Sequence, residues 1–487
     1  MNAKEKNRKP KAGLLLIASP RFKNLSGPKR GTYGERKEKA VEEIKASMDF
    51  LELVDPGIVY EREDAEKALK LFFQKDVDFV YAEFLSWSED FAWIRFLRDC
   101  PDMPIIFCNV AKPRMTFETT LDEDDFVDYL CAGTLVGSLE GSGSIKRIPR
   151  KGVKTVMGTR EEITEKVRIF ADAARARAIL RRSNVGLMAN MNEAMWSTYI
   201  DNYDLFTKIG PEIHYLPYSD YGAEIEALTD EEVETYANNL TSRYKMMPDV
   251  EYDKFIGCVK ATLAIKKMAE KNGIDCYVYN DIDQATFRTA GCRAGFYPQW
   301  FNENVSVLVP EADIGAGLIT YILKLITGKH VNFIEPFHIE DDFGTFAGGH
   351  AGPNDHNDPA WQDNVVISRD VRFAKTNWKY AGAPFAWYRI SPGLKTVAGL
   401  YEQDGKYKLI TFLAESLSEK DTPQSTKKHL LATYSHTIFK PQVPVKQLWE
   451  QVLRIGATQH YAIVDGDCRA QLEDLAEIMG FDFYNIV

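Results

Sequence analysis

Four side chains in the second half of the chain sit where carboxylate and imidazole chemistry is feasible. Glu311 stands in Val309-Pro-Glu-Ala-Asp313 ahead of an apolar helix, and Glu335 in Asn332-Phe-Ile-Glu-Pro-Phe-His338. His350 lies in Ala347-Gly-Gly-His-Ala-Gly352 and His436 in Tyr434-Ser-His-Thr-Ile-Phe439. Two carboxylates and two imidazoles could hold one divalent ion with two positions left open. Such a mixed donor set suits Mn²⁺, with Co²⁺ or Fe²⁺ as alternatives, because hard oxygens and borderline nitrogens share a roughly octahedral shell with water.

Each residue also has an ordinary reading. Glu311 could be the first-turn acid of the following helix, favoured by the helix dipole. Glu335 is harder to dismiss, because it follows Phe333 and Ile334 in a strand expected to be buried, where a carboxylate is costly unless paired or metal-bound. The glycines around His350 leave room for a ligand or mark a turn. His436, in an alternating strand, could be a core histidine. His350, Asp355, His356 and Asp358 could form a compact metal loop of their own. The spacing of these residues does not choose between the readings.

The elements that must position them are readable from periodicity. From residue 13 to about 182, strands near 13–18, 77–82 and 104–110 alternate with helices near 35–52 and 63–74, the pattern of a parallel α/β layer. Thr159 and Glu162 predict a capping box ahead of a helix, and so do Thr229 and Glu232 ahead of a second one that Pro248 must stop. A helix near 252–271 ends at Asn272-Gly273, the strand Cys276–Tyr279 follows, and an apolar helix runs from Gly315 to Ile326. Beyond 329, short β-branched and aromatic runs (331–334, 365–368, 396–400, 408–413, 431–439) alternate with turn residues. A helix near 444–455, a strand 461–464 and a helix 469–479 close the chain. We expect two N-terminal parallel-sheet α/β domains, 1–182 and 183–328, followed by a C-terminal antiparallel β-barrel-like domain, 329–487. The stretch Gly137–Gly143 matches neither a Walker loop nor a dinucleotide fingerprint, and is read as a surface or interface loop.

In the order of their motifs these segments resemble the L-arabinose isomerase family, a relative of L-fucose isomerase. Arg182-Ser-Asn-Val-Gly-Leu-Met-Ala189 is similar to the opening of that family's central domain, Ile209-Gly-Pro-Glu-Ile-His214 to a later step in it, and Tyr461-Ala-Ile-Val-Asp-Gly-Asp467 to its close. In that family a glutamate before a helix, a strand glutamate, a Gly-x-His and a His-Thr-x-Phe strand bind manganese. The resemblance therefore implies Glu311, Glu335, His350 and His436 as metal ligands. It also implies a homotrimer or homohexamer in which one subunit's N-terminal domain covers another's C-terminal site, with Arg21 and the 137–145 segment beside the pocket. The chain departs from the family at Pro336-Phe337, at Ala351-Gly352-Pro353 and at Ser435, and Ala18-Ser19-Pro20-Arg21 replaces its first substrate loop.

The activity implied is metal-dependent aldose–ketose isomerisation of a free sugar other than L-arabinose, through an enediolate. Glu335 is expected to take the C2 proton and Glu311 to shuttle protons between the oxygens, while Arg21 and His338 contact the sugar or make structural bonds. Two other classes stay open: a metal-dependent epimerase, lyase or hydrolase acting on sugars, and a sugar-binding protein without catalysis.

Composition narrows the partners. At 487 residues the chain is too long for one core. Its net charge of −11 disfavours nucleic acid, whose binding needs clustered cations. No run reaches the roughly 20 apolar residues of a membrane span. The basic start, Lys4 to Lys11, lacks a small-x-small cleavage site after the apolar stretch that follows. Seven scattered cysteines without a CxxC pair fit reduced thiols in a cytoplasm.

Overall fold

The computed structural model describes residues 1–100, 102–112, 114–115, 122–148, 150–370, 382–423 and 437–487. His436 lies outside the described residues. The chain divides into two compact units. One comprises Met1–Asn7, Ile179–Arg469 and Phe481–Val487, the other Arg8–Ala178 and Ala470–Gly480.

The smaller unit is built on a five-stranded, all-parallel sheet in the order Glu52–Val54, Lys11–Ile17, Phe79–Phe84, Ile105–Val110, Val153–Gly158. Its central strands are buried along nearly their whole length and mostly apolar, as strands covered on both faces must be, with Glu83 paired to Arg160 at 2.9 Å. Phe72, Phe84, Trp93, Phe96 and Phe107 share one aromatic core, where Trp93 stacks on Phe107 with centroids 5.2 Å apart. The expected loop at Gly137–Gly143 is instead part of a helix, Thr134–Ile145. A Cβ on Gly137 would come within 2.9 Å of the Phe84 ring, and one on Gly141 within 2.8 Å of it. These glycines let the helix lie directly on the sheet, which is why a sequence of poor helix formers becomes helical here.

The larger unit combines a parallel four-stranded sheet, in the order Val307–Val309, Cys276–Tyr279, Asn184–Met188, Glu212–Leu216, with a seven-stranded mixed sheet and a three-stranded one. The mixed sheet runs Gly393–Gln403, Tyr461–Asp465, Asn332–Glu340, Thr345–Gly349, Thr437–Pro441, Lys406–Ser416, Asp482–Ile486, and Gly393–Gln403 also pairs with Lys406–Ser416. It departs from the expected antiparallel domain in one pairing, since Asp482–Ile486 runs parallel to Lys406–Ser416. The helix Ile314–Thr327 is buried on all sides and mostly apolar, its one charged residue, Lys324, donating to Asn302 Oδ1 at 2.5 Å. The helix expected to reach Pro248 ends at Arg243, because Lys245–Met246 joins Val366–Ile367 as a strand. All seven cysteines are free thiols and six of them are buried. Among the described residues no helix is long and apolar enough to cross a membrane.

His356 belongs to this unit's core and not to a metal loop. Its Nε2 accepts the Tyr297 N–H at 3.2 Å, and its Nδ1 lies 3.2 Å from the Tyr244 hydroxyl. Asp355 turns to His330 Nδ1 at 2.7 Å and Asn302 Nδ2 at 3.0 Å. Burial pushes the His356 imidazole down to about 4, so the folded protein resists a proton that the unfolded chain accepts near 6.5. The stabilisation from a neutral His356 is complete above about pH 6.5 and is lost as the pH falls towards 4, with about 2 kcal/mol gone by pH 5. Urea unfolding at pH 7 and pH 5 should show a smaller difference for His356→Gln than for the parent protein.

A candidate metal centre

The centre is assembled where three parallel strands of the larger unit end and where the mixed sheet brings its own side chains. The segment after Val307–Val309 carries Glu311, the segment after Cys276–Tyr279 carries Asp281, and that after Asn184–Met188 carries Asn192. Ligand-binding residues gather at the carboxyl ends of such strands because the connecting segments converge there.

Glu311 is not the first-turn acid of the following helix. It and Ala312 take left-handed backbone angles, φ 67° and 53°, which cost side-chain-bearing residues energy. Hydrogen bonds on every side hold this turn. The Glu311 N–H donates to Asp281 Oδ1 at 2.9 Å, Asn192 Nδ2 donates to the Glu311 carbonyl at 3.2 Å, and the Ala312 N–H donates to the Tyr279 carbonyl at 3.0 Å. Asp281 is itself buried against Arg293, whose Nη2 also donates to the Ala351 carbonyl at 2.8 Å. Asp313, two residues on, caps the helix Ile314–Thr327 by accepting the Ala316 N–H at 2.9 Å.

Sheet register supplies the rest. Ile334 pairs with Tyr461, so the same antiparallel ladder sets Glu335 next to His460. On the other side Glu335 pairs with Gly349, which brings in His350. Gly348 serves packing: a Cβ there would stand 2.8 Å from the Phe439 ring. Phe333 lies under both imidazoles with ring centroids 4.8 Å away.

The result is a compact donor cluster. His350 Nε2 lies 3.0 Å from Glu311 Oε1 and 3.9 Å from Glu335 Oε2, and His460 Nε2 lies 3.1 Å from Glu311 Oε2 and 3.6 Å from Glu335 Oε1. Glu311, Glu335 and His460 each offer a ligand atom within 4.8 Å of the other two. Glu311, His350 and His460 are buried, while the Glu335 side chain remains 21% exposed and forms the open side. His460 Nδ1, facing away from the cluster, meets Asp313 Oδ2 at 2.8 Å.

No family model and no curated protein matches this chain. The chemistry of the centre is read from its donors.

Three carboxylates, Glu311, Glu335 and Asp313, meet two imidazoles in a mostly buried space. Burial works against the charged form of His460, but the hydrogen bonds to Asp313, Glu311 and Glu335 outweigh it and raise the imidazole well above its ordinary value. Burial likewise works to raise Glu311, yet the adjacent His350 and His460 hold its carboxyl well below the usual range. Three carboxylates facing two imidazoles favour positive charge in this space. Glu311, Glu335 and His460 could hold a divalent cation there, with His350 beside Glu311 at 3.0 Å. Oxygen and nitrogen ligands about 2.1 Å from one ion stand roughly 3 to 4 Å apart, as His460 Nε2 does from the two glutamates, at 3.1 and 3.6 Å.

Of the residues expected from sequence, Glu311, Glu335 and His350 come together. His338, three residues beyond Glu335 on the same strand, follows a bulge after Pro336 and faces Glu340 at 3.7 Å. Arg21 belongs to the smaller unit, where it pairs with Glu89 and lies over the Phe22 and Trp87 rings at 5.3 and 5.6 Å. Sequence reasoning passed over His460, Asp313, Asp281 and Asn192. The signal for His460 was a histidine immediately before the apolar strand Tyr461–Asp465.

Proposed function

We propose that this chain is a metal-dependent aldose–ketose isomerase acting on a free sugar other than L-arabinose. The observation that carries this reading is the cluster of Glu311, Glu335 and His460 within mutual ligand distance, with His350 3.0 Å from Glu311 and the open side at Glu335. A divalent ion bound there supplies a Lewis acid and a template for two neighbouring substrate oxygens. The side chains divide the remaining work. Glu335, the partly exposed carboxylate, is placed to take the C2 proton of a sugar and return it to C1. Glu311 has both oxygens engaged by imidazoles, which favours holding the ion over the proton-shuttle role expected from sequence. Asp313 fixes the His460 ring with Nε2 towards the cluster. Asp281 and Asn192 hold the Glu311 turn.

The resemblance to the L-arabinose isomerase family supports the same reading, and with it we propose a cytoplasmic homotrimer or homohexamer. Pairing of Gly393–Gln403 with both Tyr461–Asp465 and Lys406–Ser416 supports reading the large sheet as barrel-like. Among the substituted pocket positions, Phe337 is half exposed on the strand that carries Glu335, and Ala351 and Gly352 are buried next to His350. Small residues beside the donor and an apolar ring on the strand fit a sugar other than L-arabinose.

The test is interconversion of aldoses and ketoses followed by NMR. Chelated protein should be inactive, and Mn²⁺ should restore turnover better than Mg²⁺, which prefers oxygen-only shells. A hexose or deoxyhexose should exceed L-arabinose in kcat/KM. Full turnover in chelated protein, or sugar binding without interconversion under any metal, would sink the isomerase reading.

A further inference from the structure

A cavity of about 390 Å³ in the larger unit is lined by Met191, Asn192, Glu193, Met195, Trp196 and Tyr199. Its size lies within the roughly 300 to 1,000 Å³ of small-molecule sites. The lining segment leaves the carboxyl end of the strand Asn184–Met188 and is tied to the metal centre at two points. Asn192 Nδ2 donates to the Glu311 carbonyl at 3.2 Å, and Gln459 Nε2, next to His460, donates to Met195 Sδ at 3.1 Å.

The lining combines two kinds of surface. Trp196 is 83% exposed and Tyr199 55%, an unusual amount of aromatic area to leave in water beside a cavity. Glu193 and Tyr199 add a carboxylate and a hydroxyl. A polyhydroxy ring matches both kinds, since it has a C–H face for an indole and hydroxyls for a carboxylate. A nucleic-acid base would also stack, but it arrives on a polyanion, which Glu193 and the net charge of −11 oppose.

We propose that this cavity is a carbohydrate subsite adjoining the metal centre, where a sugar ring stacks on Trp196 and donates hydroxyl hydrogens to Glu193. The identity of the ligand rests on the isomerase reading above. The subsite favours sugars with more ring and hydroxyl surface for Trp196 and Glu193, hexoses and hexose glycosides over pentoses.

Calorimetric titration of the chelated protein with hexoses, methyl hexosides and pentoses reads the subsite without turnover. Hexoses and their glycosides should bind, Trp196→Ala should weaken them by at least about tenfold, and Trp196→Phe by less. Because Trp196 is exposed, its melting temperature should not move. With Mn²⁺ present, Trp196→Ala should raise KM with little change in kcat. Equal sugar affinity in the parent and Trp196→Ala, or no sugar binding at all, overturns the subsite. So does a change in solution mass on substitution, which would make the aromatic face a contact between copies. If Trp196→Ala turns over sugars with unchanged kcat/KM, the subsite falls and the isomerase stands. If sugar binding depends on Trp196 but no metal-loaded protein interconverts sugars, the isomerase falls and the subsite stands.

Discussion

Replacing His460 with alanine is expected to weaken Mn²⁺ binding by more than about a hundredfold and to remove nearly all turnover. Loss of an outer-shell partner alone costs about 10 to 100-fold at metal sites, and His460 is placed as a direct donor. Its Nε2 lies between both glutamates, at 3.1 Å from Glu311 and 3.6 Å from Glu335. Removing it leaves three carboxylates facing one imidazole, with no nitrogen on the Asp313 side to complete the shell. Metal titration by calorimetry reads the affinity, and thermal unfolding gives a second readout. An ion at about 100 times its Kd stabilises the parent by about 2.7 kcal/mol, whereas the variant should gain almost nothing at the same concentration. His356→Gln is the control, because that histidine bonds to Tyr297 and Tyr244 in the core and should leave the metal affinity unchanged. Parent-like Mn²⁺ affinity in His460→Ala would remove this residue from the centre.

What could be read in advance follows the range of the interactions involved. The helix Tyr252–Lys271 and the strand Cys276–Tyr279 lie where apolar periodicity and the Asn272-Gly273 stop place them, because both signals are local. The Thr229/Glu232 capping box forms as expected, with the Glu232 N–H donating to Thr229 Oγ1 at 3.2 Å. The helix Thr134–Ile145 is illegible in the sequence for the opposite reason. Its glycines and serines disfavour a helix in isolation, and contact with Phe84 and Phe107, from strands far back in sequence, overrides that preference.

The donor set divides along the same line. Glu335 and His350 were identifiable, since a carboxylate in an apolar strand and a histidine among glycines are anomalies in their own neighbourhoods. For Glu311 the sequence leaves an ordinary first-turn alternative, which its left-handed backbone excludes. His460 offers only a weak local signal, a histidine at the edge of an apolar strand. It becomes a neighbour of Glu335 only through the pairing of Ile334 with Tyr461, residues far apart in sequence, and that register is a property of the sheet.

Asp313 offers the sharpest separation of structural from functional work, because its two oxygens serve different partners. Oδ1 caps the helix Ile314–Thr327, and Oδ2 holds His460 Nδ1 at 2.8 Å. Losing an N-cap costs about 1 kcal/mol, while losing the carboxylate behind a metal-binding histidine costs about 10 to 100-fold in metal affinity or activity. Asp313→Asn keeps a capping oxygen and removes the charge, and its amide cannot both cap the helix and accept the His460 Nδ1 proton unless it turns. Asp313→Asn should therefore unfold at close to the parent's denaturant midpoint when metal-free, yet bind Mn²⁺ at least about tenfold more weakly. Asp313→Ala should show the same metal defect together with the capping loss of about 1 kcal/mol. Metal-free unfolding and metal titration, run on both variants, separate the two roles. If Asp313→Asn bound Mn²⁺ as tightly as the parent, His460 would not depend on this carboxylate for its orientation, and Asp313 would be only a helix cap.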